Sequence, residues 1–414
     1  MIFAVTGKIY PNCKQTVEFE QQAGSCRFVW NTLLGLNNEY YIQTGKFYSR
    51  FDFQKILKEL KDLEVFSWLR DGNSQALQQV CLFLRQAIDR FIKSRKSKSS
   101  RKVGFPKFKS KKRGKDSFHI PQNVKIVDSR HIKIPKIGII RVHLDREIEP
   151  SWKICNATIK KCCDFWKISI IVDDLRVVKK IENLTSESAI GIDVGIKKIA
   201  QCSNGQILND VLTEKMKKAK EQIIRIQRAI SRSERDSKRR EKLKIKLKKL
   251  NYYLSNCLKD KYHKFTSSIA KNYDIVVMED LNIQGMMQNH HLAKSIAERS
   301  LYTLKTMLKY KMEMKGGIFL EVDRFFPSSQ LCSSCGHRQK MPLDARTYIC
   351  PECGTIIDRD LNASINILNE GLRKIGLGRP KFKHMEILSD KEPKSLDSLQ
   401  RSLKCETKDS IESW

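Results

Sequence analysis

Residues 189–200 read AIGIDVGIKKIA. Side chains alternate along an extended strand. Ile190, Ile192 and Val194 therefore share one face, and Gly191, Asp193 and Gly195 share the other. A carboxylate between two glycines in an apolar strand is costly unless a partner charge or a metal meets it. The glycines read as clearance for a metal and a bulky phosphodiester. An aspartate that merely ends a strand before a turn is the plain structural alternative.

The segments that follow set this strand in a sheet. KIAQCS and GQILN read as two more strands, and a long basic helical stretch covers about 213–270. YDIVVMED is an apolar strand ending in Glu279-Asp280, followed by a helix at about 292–315 and the strand GIFLEV. A Cys-rich insert then leads to a helix at 361–373 whose buried stripe is expected to be Leu361, Ile365 and Leu368. Three strands followed by helix–strand alternation predict a mixed α/β sheet. Acids at the ends of such strands lie where ligands bind. Asp358-Arg359-Asp360 opens the last helix, and either aspartate could serve as its N-cap. Acids from a first strand, a later strand and a C-terminal helix can together hold two divalent cations for phosphodiester hydrolysis.

Cys332-x2-Cys335 and Cys350-x2-Cys353 sit in the contexts CSSCG and CPECG. Gly336 and Gly354 permit the tight turn after each pair. Four thiolates at this spacing predict one structural Zn²⁺, with no open position for catalysis. The ion would fold an insert too small to bury a core. The chain has 13 cysteines. The remainder, the Cys162–Cys163 pair included, read as reduced packing thiols.

Upstream, residues 1–12 read as a strand ending at Pro11, and residues 14–95 as helices. One of these, SQALQQVCLFLRQAIDRFIK, carries a stripe of Leu77, Cys81, Leu84 and Ile88. Residues 103–178 become short β-rich runs cut by Pro and Gly, an antiparallel, barrel-like pattern. The 414 residues hold 79 Lys+Arg against 46 Asp+Glu, a net charge of +33. Residues 93–115 hold 12 basic side chains and no acidic one, and residues 215–250 hold 16 basic against 4 acidic. Two runs of one sign at this density point to a polyanion rather than a solvated face. The first run interleaves Phe105 and Phe108 with lysines, which suits base stacking as well as phosphate neutralisation. No stretch approaches the ~18 apolar residues of a membrane span, and the N-terminus lacks a secretory signal. The expectation is a cytosolic or nuclear protein without a membrane partner.

GIDVGIKKIA, VVMEDLNI, PSSQLCSSCG with YICPECG, and DRDLNASINIL resemble the nuclease core of the TnpB family, the RNA-guided nucleases of insertion sequences related to compact type V CRISPR effectors. GSCRFVWNTLL, the SQALQQ helix and GFPKFKSK extend the resemblance over roughly residues 1–373. Ser364 stands where alanine is usual.

The resemblance implies a RuvC-like (RNase H-like) nuclease domain at 187–325 and 358–375, interrupted by a zinc ribbon at 326–357. It implies a β-barrel wedge domain at 1–12 and 103–180, with a helical recognition domain inserted at 13–102. A polar tail at 376–414 has no counterpart. By motif the catalytic, Mg²⁺-binding (or Mn²⁺-binding) acids would be Asp193, Glu279 and Asp360, and Asp280 would be structural. The partners implied are a guide RNA from the transposon end and a double-stranded DNA target, bound by a monomer in the prokaryotic cytoplasm at the nucleoid. Ser74, Gln75, Gln78 and Gln79 would help read the target-adjacent motif. Lys107, Lys109, Lys111, Lys112 and Arg113, with Arg225, Arg228, Arg232, Arg239 and Arg240, would grip RNA or DNA. A CRISPR effector, a nuclease-dead repressor and a guide-free zinc-ribbon DNA-binding protein are the competing functions. The repressor reading predicts a lost acid, and all three are present.

Overall fold

The computed structural model describes residues 1–97, 102–111, 116–195, 198–209, 212–342 and 344–378. The chain divides into two compact units. The first comprises residues 1–180, 211–265 and 313–316. It starts with strand β1 (Ile2–Tyr10), helix α1 (Cys13–Thr44), α2 (Arg50–Asp62), a 3-10 helix (Glu64–Arg70) and α3 (Ser74–Lys96). Asn12 starts α1 with a reciprocal capping box to Gln15, an arrangement worth roughly 1 kcal/mol. The stripe Leu77, Cys81, Leu84 and Ile88 of α3 is fully buried, as its spacing predicts.

Strands β2 (Ser117–Ile120), β3 (Lys125–Asp128), β4 (His131–Ile134), β5 (Gly138–Leu144), β6 (Lys153–Cys162) and β7 (Phe165–Asp173) join β1 in one antiparallel sheet of order β2-β6-β7-β1-β5-β4-β3. Sheet and helices share one core. Phe19 of α1 meets Phe118 and Trp166 edge-on, with ring centroids 5.6 and 5.1 Å apart.

The basic helical stretch expected at about 213–270 forms two helices, α4 (Glu214–Arg232) and α5 (Lys238–Asn272). They are separated by a turn in which Asp236 takes a left-handed φ of 65°. Residues 211–265 group with the first unit because α5 docks on the β6–β7 hairpin. Lys249 pairs with Asp164 at 2.6 Å, and Tyr252 packs on Phe165 with centroids 5.4 Å apart.

The second unit is built on β8 (Ala189–Val194), β9 (Lys198–Cys202), β10 (Ile207–Asn209), β11 (Ile275–Glu279) and β12 (Ile318–Val322), in the order β10-β9-β8-β11-β12. β8, β11 and β12 run parallel, while β9 and β10 are antiparallel to their neighbours. Around them lie α6 (Ile283–Met286), α7 (His290–Arg299), α8 (Leu301–Lys315), the hairpin β13 (Thr347–Ile349) and β14 (Ile356–Asp358), and α9 (Arg359–Lys374). The single helix expected at 292–315 breaks at Ser300, which caps α7 in the left-handed region at φ 47°. Among the described residues, no helix is long and apolar enough to cross a membrane.

α9 lies directly on β8, and this corrects two expectations. Its buried face is Asn362, Ala363, Ser364, Ile367, Leu368 and Leu372, whereas Leu361 and Ile365 are only half-buried. The space left by Gly191 is taken by α9 rather than by a ligand. A Cβ there would stand 2.2 Å from the Ser364 carbonyl oxygen and 2.7 Å from Leu368 Cβ. A methyl group cannot be absorbed where the nearest atom is backbone. Gly191→Ala is expected to cost at least ~1–3 kcal/mol, seen as a lower Tm in a circular-dichroism melt. An unchanged Tm would show that helix and strand do not approach this closely.

Candidate functional site

Three acids converge in the second unit. Ile192 stands opposite Met278 in the parallel β8–β11 register, which brings Asp193 level with Glu279 at the carboxyl ends of both strands. The packing of α9 on β8 brings the first turn of that helix, and with it Asp360, to the same end. Burial pushes the Asp193 carboxyl up to about 8, and the neighbouring charges of Glu279 and Asp360 push in the same direction. Burial also raises Glu279, against a hydrogen bond from Ser328 that lowers it. Hydrogen bonding distinguishes the two aspartates at the start of α9. Asp358 Oδ1 accepts from the backbone N–H groups of Asp360 and Leu361, both at 3.0 Å, so Asp358 is the N-cap. Asp280 is occupied elsewhere, with Lys305 at 3.2 Å and Arg324 at 2.5 Å.

Neutral and cationic side chains hold the acids in place. Lys198 Nζ lies 3.0 Å from Asp358, 3.5 Å from Asp360 Oδ2 and 3.4 Å from Gln201 Oε1. Gln201 is buried on β9 opposite Asp193. The Ser328 hydroxyl donates to Glu279 Oε1. Ser328 is tied in turn to α9, since Asn366 Nδ2 donates to the carbonyls of Ser328 (2.8 Å) and Leu331 (2.7 Å). Asn362 Nδ2 donates to Leu331 O at 2.6 Å, and its Oδ1 accepts from Ser333 N at 2.9 Å. None of Lys198, Gln201, Ser328, Asn362 and Asn366 was predicted. The signal for two of them was present: Asn362 and Asn366 are amides one turn apart on an otherwise apolar helix face.

The four predicted thiols do form a cluster. The Sγ atoms of Cys332, Cys335, Cys350 and Cys353 all lie within 4.8 Å of one another. Cys332–Cys353 and Cys335–Cys350 are 3.6 and 3.5 Å apart, close to the ~3.8 Å edge of a tetrahedron built on ~2.3 Å Zn–S bonds. Gly336 and Gly354 take left-handed φ values of 81° and 68°, and each donates its N–H back to the first cysteine of its pair. The donor set is that of a zinc site. Its apolar support is small, chiefly the fully buried Tyr348 with Met341 and Ile357 around it. Among the described residues only this set gathers three or more His, Cys, Asp or Glu donors within 4.8 Å of one another.

The predicted nucleic-acid residues lie in the first unit. Ser74 and Gln78 are exposed on α3 and Gln75 and Gln79 half-buried, with Ser74 Oγ accepting from Lys61 at 2.9 Å. Lys107 and Lys111 are exposed. Lys109 is bound to α1: its Nζ lies 3.7 Å above the Trp30 ring, and its backbone exchanges two hydrogen bonds with the Asn31 amide. Lys112 and Arg113 fall outside the described residues. Phe105 packs against Phe91, leaving Phe108 as the exposed ring of the pair. Arg225, Arg228, Arg232 and Arg239 are exposed. Arg240 instead closes the α4–α5 turn through Ser233 O at 2.6 Å.

Known proteins match along most of the chain. Family models described as "Helix-turn-helix domain", "Probable transposase" and "Cas12f1-like, TNB domain" match residues 1–46, 173–290 and 302–367. The first of these segments folds here as a strand and one 32-residue helix. "Putative RNA-guided DNA endonuclease InsQ" of Escherichia coli (strain K12) is 31% identical over 389 residues, 90% of this chain and 92% of that protein. "Putative RNA-guided DNA endonuclease" of Streptomyces pristinaespiralis is 26% identical over 90% of both chains. "TnpB-like protein L79" of Acanthamoeba polyphaga mimivirus is 27% identical over 33% of this chain and 27% of its own. Among solved structures, the "Cryo-EM structure of the Cas12f1-sgRNA-target DNA complex" superposes with a TM-score of 0.49 at 16% identity, covering 85% of this chain and 82% of that one. With the acid motifs, the four-cysteine insert and a near full-length relative at this identity, the chain belongs to the TnpB family.

Proposed function

We propose that this protein is an RNA-guided DNA endonuclease that cuts a target duplex beside a short adjacent motif. In this reading the second unit is a RuvC-like, RNase H-like nuclease carrying the zinc ribbon. The first unit is a wedge barrel with its helical recognition insert. The carrying observation is the convergence of Asp193, Glu279 and Asp360 at one end of the sheet, where burial and mutual repulsion leave Asp193 raised to about 8. Crowded carboxylates of this kind call for cations. Asp193, Glu279 and Asp360 would hold two Mg²⁺ (or Mn²⁺). Bound there, the ions would supply an attacking water of lowered pKa and neutralise charge on the leaving 3′ oxygen.

The chain's own residues prepare that site. Ser328 fixes the orientation of Glu279, and Lys198 balances Asp360 and its cap Asp358. The products would carry a 5′-phosphate and a 3′-hydroxyl. The names of the curated relatives support RNA guidance and a DNA substrate. Guide pairing would read the target sequence, while the protein reads the adjacent motif and the shape of the heteroduplex. The exposed arginines of α4 and α5 would meet phosphates, each steepening the salt dependence of binding by ~1 unit of slope. One chain would act on one RNA in the prokaryotic cytoplasm.

The test is to purify the protein from its host, sequence the bound RNA, and replace the guide segment of that RNA. The cut is expected to move to the newly matched site. A cut that stays in place, or the absence of any RNA of defined sequence, contradicts the guided reading.

A further inference from the structure

Phe325 is 85% exposed, the most exposed of the described Phe, Tyr and Trp side chains. A single exposed apolar residue is ordinary; its attachment here is not. The segment from Val322 to Ser328 is fastened at both ends to the pair Glu279-Asp280. Val322 O accepts from Asp280 N at 3.0 Å, Arg324 pairs with Asp280 at 2.5 Å, and Ser328 donates to Glu279. Between these points Asp323 Oδ1 accepts from Phe325 N at 2.8 Å, and Asp323 O accepts from Phe326 N at 3.0 Å. The turn packs Phe326 against the apolar core of the sheet and leaves Phe325 in solvent. Pro327 restricts the backbone just beyond it. At no more than ~3.6 Å per residue, Phe325 Cα lies within ~11 Å of Ser328 Cα. A second exposed ring lies on the helix whose Lys305 pairs with the same carboxylate. Tyr302, 67% exposed, precedes by one helical turn the Lys305 that pairs with Asp280 and Glu321.

We propose that Phe325 and Tyr302 form a stacking subsite for unpaired nucleobases of the DNA strand entering the carboxylate centre. The inference rests on the nuclease reading above. The chemistry favours a base over an apolar protein segment. The rings belong to separate segments of the chain, and the cations next to them in sequence, Arg324 and Lys305, are both held at Asp280. Every base has a π-face, so such a subsite holds a strand without selecting its sequence, as an enzyme whose specificity comes from a guide requires.

The experiment uses the guide-loaded protein with calcium replacing magnesium, and matched targets carrying one 2-aminopurine at successive positions around the cut. Stacking is expected to quench the probe at one or two positions in the wild-type protein. Phe325→Ala and Tyr302→Ala should abolish that quench and weaken binding of single-stranded DNA by ~5- to 150-fold, the range of one stacked base. Phe325→Trp should retain both, and Phe325→Leu, which keeps the apolar bulk without the ring, should not. Zinc content and Tm confirm that the variants are folded. Quenching insensitive to both alanine substitutions, or a leucine variant as good as the tryptophan one, overturns the subsite while leaving cleavage untouched. Failure of the wild-type protein to cut in magnesium, with quenching intact, contradicts the nuclease reading instead.

Discussion

Asp193→Ala is expected to lower the rate of target cleavage by on the order of 10³-fold or more, ~4 kcal/mol of transition-state stabilisation, while leaving guide-dependent DNA binding in place. The residue lies at the end of β8 and contributes no apolar packing that binding would need. The milder Asp193→Asn separates catalysis from stability. The folded carboxyl is raised to about 8 from an ordinary value near 3.8. Below pH ~4 both states of the chain are protonated, and the site costs nothing. As pH rises toward 8 the unfolded chain ionises while the folded one keeps its proton, so folding must take up a proton and stability falls. Asparagine removes this cost. Without divalent metal, Asp193→Asn should therefore be more stable than wild type by roughly 1–3 kcal/mol at pH 8, and by much less at pH 5. Chemical denaturation at the two pH values in EDTA measures the difference. Equal stabilities at pH 8 would mean that the carboxylates are not crowded.

Cys332→Ser should be nearly as damaging, although no thiol takes part in the chemistry. A structural zinc site contributes ~10–16 kcal/mol to folding of its segment, and the apolar support of this ribbon is too small to replace it. Disruption would spread inward. Leu331 O, adjacent to Cys332, accepts from both Asn362 and Asn366, and Asn366 also holds the Ser328 backbone whose hydroxyl fixes Glu279. The expected results are loss of the bound zinc by elemental analysis, new proteolytic sites in 326–357, and cleavage reduced ~100-fold or more. The exposed Cys13, changed to serine, should do none of this. Full cleavage in a zinc-free Cys332→Ser protein would break the proposed link between ribbon and acids.

The acids and thiols that the proposed chemistry uses were legible in the sequence because they sit in short local patterns: an acid flanked by glycines, an apolar strand ending in Glu279-Asp280, two CxxC pairs. The support around them was not. Ser328, Lys198 and Gln201 act through contacts that exist only after the chain has folded back on itself, and serine, lysine or glutamine in a loop or strand has no periodicity to betray it. Gly191 was recognised as special for the wrong neighbour, because a glycine shows that something comes close without showing what. The helix break at Ser300 was hidden because no glycine or asparagine marks the left-handed position. The α4–α5 turn was hidden because charge continues through SRSERDSKRR without a break. Lys109, expected to grip RNA or DNA, stands over the indole of Trp30, 79 positions upstream, a contact that no local pattern shows.

In the proposed function Asp193, Glu279 and Asp360 form one magnesium-dependent centre that cuts DNA chosen by a bound RNA. The most direct measurement is a cleavage time course on a guide-matched duplex and a mismatched control, in magnesium and in EDTA. It would compare the wild-type protein with Asp193→Ala, Glu279→Gln and Asp360→Asn, each loaded with the same RNA. Cleavage is expected of the matched duplex alone, by the wild-type protein alone, in magnesium alone, with 5′-phosphate ends. Cleavage that persists in EDTA, or at wild-type rate in any of the three variants, would contradict it.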